Sequence, residues 1–334
     1  MHRFHIREAV VFEDILSEED TRASGALQVS RTRMSLQQLL DDPSNSDQLL
    51  QKCFDYSQEF DHMVEFVTTH RHLLLQKQPT FHWYVDNQSI SSSCWLLDSI
   101  IVKHICASLL ECQGTTLLST DVKQASQHFK QAIDVRETLL EVLQRWKWKS
   151  LQHPILETGW HQARQHYATA QQQMAMIEMG LSNGVQATTL FTVSQRAIRS
   201  AVLSLAAWAS PEAVELLHSS EALRYLFSSN VLWSQGKYGE AIYRLQHWLS
   251  NSTHTHTGPF PHIQTQFDGL PLLLASRLRD NETIYFQQLS PAPPLTEACQ
   301  LSLGHNSAPH PPFEEREASR ETRETRPSGA VPAV

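Results

Sequence analysis

Few residues in this chain stand at spacings that chemistry would use. Asp41-Asp42-Pro43-Ser44-Asn45-Ser46-Asp47 gathers three carboxylates within seven positions. All-helical prenyl-diphosphate enzymes hold magnesium with such groups, but they need the Asp-Asp-x-x-Asp spacing that sets carboxylates on one helix face. That spacing is missing here, and Pro43 would interrupt a helix at this point. The run reads instead as an acidic N-cap region, with Asp47 opening a helix. His254-x-His256 offers two imidazoles in a Thr-rich loop, yet zinc needs a third protein ligand that this stretch does not supply. Histidine is frequent, at 18 residues, but scattered. The five cysteines (Cys53, Cys94, Cys106, Cys112 and Cys299) form no Cys-x-x-Cys pair. Most lie in apolar stretches, where a reduced thiol packs as a small hydrophobe. Gly-x-Gly-x-x-Gly, P-loop and His-Glu-x-x-His patterns do not occur. The expectation is a chain with no catalytic residue, no metal and no cofactor: not an enzyme.

The bulk composition narrows the class further. With 334 residues, 41% hydrophobic and 19% charged, the chain can bury a sizeable core. Its net charge is −8 with 27 Lys+Arg and no basic stripe, which argues against binding nucleic-acid phosphates. No run approaches the ~20 apolar residues of a membrane span, and the N-terminus lacks a signal-peptide core. These features imply a cytoplasmic protein that meets membranes only through partners.

The elements that would position any site are helices. Only 11 glycines occur, while Leu, Gln, Ser and Ala are abundant, a mix that favours helices. Residues 1–34 read as a small sheet or extended segment. Ser35 and Asp47 stand where N-caps would be, and apolar positions from Leu49 to Val67 predict a helix reaching about residue 76. Phe81-His82-Trp83-Tyr84-Val85 reads as a buried extended crossing. Further helices are expected over residues 94–118, from 122 past Leu143, from Pro154 to Gly180, over 185–208, and from Ser210-Pro211-Glu212 to Gly236. Shorter ones follow Gly239 and span residues 270–279, the last cut short by Pro271. Ser91 to Ser93 are candidate N-caps, and Trp146 and Trp148 are candidate plugs between helices. Residues 281–295 should run extended and pack Ile284 and Tyr285 onto helices. The charged tail, residues 314–334, should be disordered. The fold class is therefore mostly all-α: residues 1–313 form one domain of antiparallel helix hairpins stacked side by side, with a small N-terminal β element.

Four stretches, in order, carry a resemblance. Phe81-His82-Trp83-Tyr84 precedes the first strongly apolar helix, and Gln127-His128-Phe129-Lys130-Gln131-Ala132-Ile133 follows it. Gly236-Lys237-Tyr238-Gly239-Glu240-Ala241-Ile242-Tyr243-Arg244-Leu245-Gln246 and Asn281-Glu282-Thr283-Ile284-Tyr285-Phe286-Gln287-Gln288-Leu289-Ser290-Pro291 come later. Together they resemble the BRO-like domain family over roughly residues 35–313, with Trp83, Gly239, Glu240 and Tyr285 as structural signature residues. The resemblance implies a curved bundle with TPR-like hairpins and a small N-terminal sheet. It also implies an endosomal-sorting adaptor whose concave apolar patch binds the C-terminal amphipathic helix of an ESCRT-III subunit. Setting Ala170-Gln171-Gln172-Gln173 against the family's pattern puts Met176 at one patch position. Thr189 and Val193 fall at the other two, with Leu190 beside them. Thr189 departs from the family's bulky aliphatic. A scaffold of the same fold that has lost ESCRT-III binding and recognises another partner is therefore the alternative.

Overall fold

The computed structural model describes residues 4–6, 10–41, 46–69, 78–86, 88–145, 153–251 and 259–291. Asp42 to Asn45, Trp146, Trp148, His254, His256, Cys299 and the charged tail lie outside the described residues.

Three short strands form one antiparallel sheet in the order β1 (Phe4–Ile6), β2 (Phe81–Val85), β3 (Gln88–Ser92). The expected extended crossing is its central strand, pairing Phe4 with Val85 on one side and Phe81 with Ser92 on the other. Alternation along β2 turns Phe81, Trp83 and Val85 into the core. Helices α1 (Glu18–Ser24), α2 (Ala26–Asp41) and α3 (Ser46–Thr69) complete this end. The reading of residues 1–34 as a small sheet or extended segment holds for Phe4–Ile6 and is corrected for residues 18–34, most of which are helical. Gly25, at φ 71°, ends α1 in the left-handed region that glycine tolerates. Val29, Leu36 and Leu40 then give α2 a buried stripe. Ser35 is no N-cap: it lies inside α2, its hydroxyl bonded back to the Arg31 carbonyl.

Helix α4 (Trp95–Leu117) is buried on all sides from Leu97 to Ala107, as its near-continuous apolar run requires. It starts at Trp95 because Ser91 and Ser92 belong to β3 rather than to a cap. From α4 onward, each helix packs on the next: α5 (Val122–Arg145), α6 (Thr158–Ser182), α7 (Ala187–Ala207), α8 (Pro211–Ser234) and α9 (Tyr238–Asn251). The α5 spacing of Ala125, Phe129, Ala132, Leu139 and Leu143 supplies the buried face. Caps set the ends: Asp121 Oδ1 accepts from Gln124 N at 2.9 Å, and Ser210 Oγ accepts from Ala213 N at 3.2 Å. Gly236, at φ 76°, closes α8, where Lys237 N donates to Leu232 O at 3.0 Å.

Helix α10 spans Pro261–Asp280, twenty residues with Pro271 inside it. The expectation of a short helix there is corrected. Its N-cap residue, Phe260, makes no side-chain cap bond. Glu178 of α6, itself buried, accepts from His262 N at 2.7 Å and from Ile263 N at 2.9 Å, so a distant carboxylate caps α10.

Two buried ionic groups sit on either side of α4. At the sheet end, Asp98 accepts from Arg33 Nε at 3.1 Å, from Trp83 Nε1 at 2.6 Å and from the Tyr56 hydroxyl. Trp83 has a structural role in this chain: its ring fills the core and its one donor satisfies a buried carboxylate. At the hairpin end, Glu111 accepts from Arg136 Nε at 2.6 Å and pairs with Arg164. Burial raises the Glu111 pKa, but Arg136 and Arg164 outweigh it and hold the carboxyl below its ordinary value.

Candidate functional site

The surface to which Met176, Thr189, Leu190 and Val193 belong is the α6–α7 hairpin. Its turn closes on Gly184 at φ 66°, with Val185 N donating to Gly180 O at 2.8 Å. The helices are held together by Ser204 Oγ donating to Ala163 O at 2.9 Å, and α8 backs them where Ser220 Oγ lies 3.5 Å from Met174 Sδ. Ser200 also meets Gln173 at 3.5 Å. This register sets Met176 of α6 level with the turn of α7 that holds Val193.

Met176 is 45% exposed, Thr189 is exposed and Val193 is half-buried against the hairpin core. Leu190 is only 4% exposed. A Cβ on Gly180 would come within 2.6 Å of the Leu190 Cδ2 atom, so the bare glycine makes the hole that Leu190 fills. As an exposed patch residue Leu190 is therefore corrected to core. Residues 189 and 193 share the outward face of α7, while 190, 194 and 197 turn inward. Val185, exposed at the hairpin turn beside Gly180, was not anticipated; an apolar residue placed directly after Asn183-Gly184 was its signal. Nor was the capping role of Glu178, although a lone carboxylate in the apolar run from Met174 to Leu181 was a signal.

Near the end of the fold, Gly239 and Tyr285 both meet the crossing of residues 286–289 over α9. Residues 286–289 cross the start of α9 so closely that a Cβ on Gly239 would lie 2.1 Å from the Gln288 carbonyl oxygen. Gln287 ties the crossing down: its Oε1 accepts from Gly239 N at 3.2 Å and its Nε2 donates to Gly236 O at 2.8 Å. Asn281 Nδ2 donates to Gln287 O at 2.8 Å and its Oδ1 accepts from Gln287 N at 3.1 Å. Tyr285 stacks on Tyr238 with ring centroids 3.6 Å apart, while staying partly exposed. The expectation of an extended, apolar-docked segment needs correction in two respects. Residues Asn281–Tyr285 form a π-helical turn, and Ile284 is 61% exposed; the crossing is held by amide hydrogen bonds instead.

Among the described residues no group of three or more His, Cys, Asp and Glu could hold a metal ion, and no helix is long and apolar enough to cross a membrane. The four cysteines among them (Cys53, Cys94, Cys106 and Cys112) are free thiols.

No protein-family model matches the sequence, and no curated protein matches it. Solved structures do. A complex of the ALIX BRO1 domain with CHMP4C superposes with a TM-score of 0.68 at 14% identity, over 86% of this chain and 88% of that one. ALIX bound to the SIVmac239 PYKEVTEDL late domain gives a TM-score of 0.71 at 15% identity, over 89% of this chain. The chain spans 47% of that longer ALIX chain, about half its length. A Bro1 domain solved in a study of endosomal targeting gives 0.63 at 14% identity, covering 89% of this chain and 88% of its own. These superpositions over most of the chain show that it has the BRO1-domain fold.

Proposed function

We propose that the chain is a non-enzymatic scaffold whose α6–α7 surface receives an amphipathic helix of a protein partner. The observation that carries this reading is Met176, a long apolar side chain left 45% exposed on the same hairpin as half-buried Val193. Helix-in-groove recognition uses apolar anchors spaced along one face of the ligand helix. Methionine suits such a surface because it repacks around different partners. The ALIX BRO1 domain of the same fold is seen with CHMP4C, an ESCRT-III subunit. The partner class is accordingly the C-terminal helix of an ESCRT-III subunit, and the role that of an endosomal-sorting adaptor. Such an adaptor is cytoplasmic and is drawn to endosomes through its partners.

Thr189 supports a second reading, in which the scaffold has lost ESCRT-III binding and recognises a different helix. A hydroxyl on the exposed face weakens an apolar seat. Titrating a labelled peptide of the CHMP4C C-terminal helix against the chain separates the two. On the first reading the peptide binds, Val193→Asp weakens it by roughly tenfold or more, and Thr189→Leu tightens it several-fold. Binding by Thr189→Leu alone supports the second reading. No binding by either protein contradicts the ESCRT-III assignment.

A further inference from the structure

A cavity of about 1110 Å³ lies among β1, α2, α3, α4 and α5, at the upper end of the sizes that small-molecule pockets reach. Helix α4 turns one stripe toward it, Ile105, Leu109, Cys112 and Thr116, at steps of three and four. Asp47, Leu50 and Phe54 do the same from α3, and α5 supplies a polar third wall. Phe4, Leu40, Leu49, Ile105 and Leu109 are buried and make the floor apolar. Ile105 and Leu117 both line the cavity. It therefore follows α4 for about 18 Å at the rise of a helix.

Its formal charge has one sign. Asp41 ends α2, and Asp47 lies in the first turn of α3. Asp41 Oδ1 is 3.2 Å from His5 Nδ1, and Asp47 Oδ1 accepts from Gln113 Nε2 at 2.7 Å. Both aspartates are exposed, and among the described residues no lysine or arginine lines the cavity. A cleft with apolar walls and charges of one sign concentrates counter-ions. A fatty acid would set its carboxylate against two others, and a neutral alcohol gains nothing from their charge. An alkylammonium suits both features: its three N–H groups donate to carboxylates, and its chain covers the floor.

We propose that this cavity binds a small amphiphilic primary amine, its chain along Ile105 and Leu109 and its ammonium at Asp41 and Asp47. A partner helix is ~10 Å across and over this length exceeds the cavity's volume, which favours the smaller ligand. None of these residues belongs to the α6–α7 hairpin, so the site stands or falls apart from the helix-binding reading.

The test is calorimetric titration of the full chain with decylamine, decanol and decanoate, each below the concentration at which it self-associates. Decylamine is expected to bind at least tenfold more tightly than decanol, with decanoate weaker still. Replacing both carboxylates, Asp41→Asn with Asp47→Asn, is expected to bring decylamine and decanol close to equal. Cys112 is an exposed free thiol lining the cavity, and half-buried Cys94 lies outside the lining. Saturating decylamine is expected to slow N-ethylmaleimide alkylation of Cys112 at least fivefold and to leave Cys94 unchanged, as mapped by mass spectrometry. This second readout uses the unaltered chain and does not depend on the folding of a variant. Equal affinity of the unaltered chain for decylamine and decanol, no binding of decylamine, or equal protection of both thiols overturns the proposal. Shielding of Cys112 by rising protein concentration alone would make the occupant a second copy, and shielding by the CHMP4C helix would make it a partner helix. Either result overturns the assignment of a small amine.

Discussion

His161 sits where a buried ion pair meets an imidazole. Its Nδ1 lies 3.3 Å from Arg136 Nη1, and its Nε2 lies 2.7 Å from the Ile155 carbonyl. Arginine can only donate, so Nδ1 accepts and the proton resides on Nε2, donated to Ile155. Burial first, and then the charge of Arg136, lower the His161 pKa to about 3. The unfolded chain titrates this group near 6.5, so between about 6.5 and 3 only the unfolded state binds the proton. Stability is then lost as pH falls through that window, by about 1.4 kcal/mol per pH unit from this residue. Glu111, with its depressed pKa, contributes stability present above its unfolded value and lost as pH falls through its folded one. The expected outcome is that His161→Gln shows a shallower loss of denaturation midpoint from pH 6.5 to pH 4 than the wild type. Parallel profiles would place the acid sensitivity elsewhere. Gly239 yields a second prediction at this scale. Adding a methyl group against the Gln288 backbone should cost about 1–3 kcal/mol by overpacking. Gly239→Ala should also speed amide exchange at Gln287, whose N–H is held by Asn281. Unchanged exchange would show that the crossing does not depend on the close approach.

Helix α10 owes its start to another helix. Glu178→Gln keeps the size of the side chain but removes the charge that caps His262 N and Ile263 N. The expected loss is on the order of 1.5–3 kcal/mol, with faster hydrogen exchange in the first turn of α10. Exchange confined to α6 would contradict the capping role. This contact also explains why α10 was read too short. Its periodic apolar signal begins before Pro271, but no local cap announces Pro261, and the stabilising carboxylate stands more than eighty positions away in sequence. The missed α1 and α2 have a different cause. Their apolar positions are interspersed with Arg, Gln and Ser, and Arg33 lies on the buried face of α2, where Asp98 of α4 pairs with it. Helices α4 to α9 were legible because each carries its own pattern and its own breaks at Asp121, Pro154, Gly184, Pro211 and Gly236. In the candidate site, Met176 and Val193 rest on the resemblance, since helical spacing alone does not single them out. Leu190 was misassigned because helical spacing does not show that Gly180 opens a cavity on the facing helix.

At the scale of the whole molecule, a stack of helices joined in order leaves a surface over each hairpin, and function depends on which surface a partner selects. The measurement that bears most directly on the proposed role is methyl NMR of methionine-labelled protein, titrated with the CHMP4C C-terminal helix. The chain has 6 methionines, and among them Met63 and Met174 are buried and serve as internal controls. The account predicts that the Met176 methyl signal shifts progressively to saturation while those of Met63 and Met174 hold their positions, and that Val193→Asp abolishes the shift. Saturable binding that leaves Met176 unmoved would contradict it.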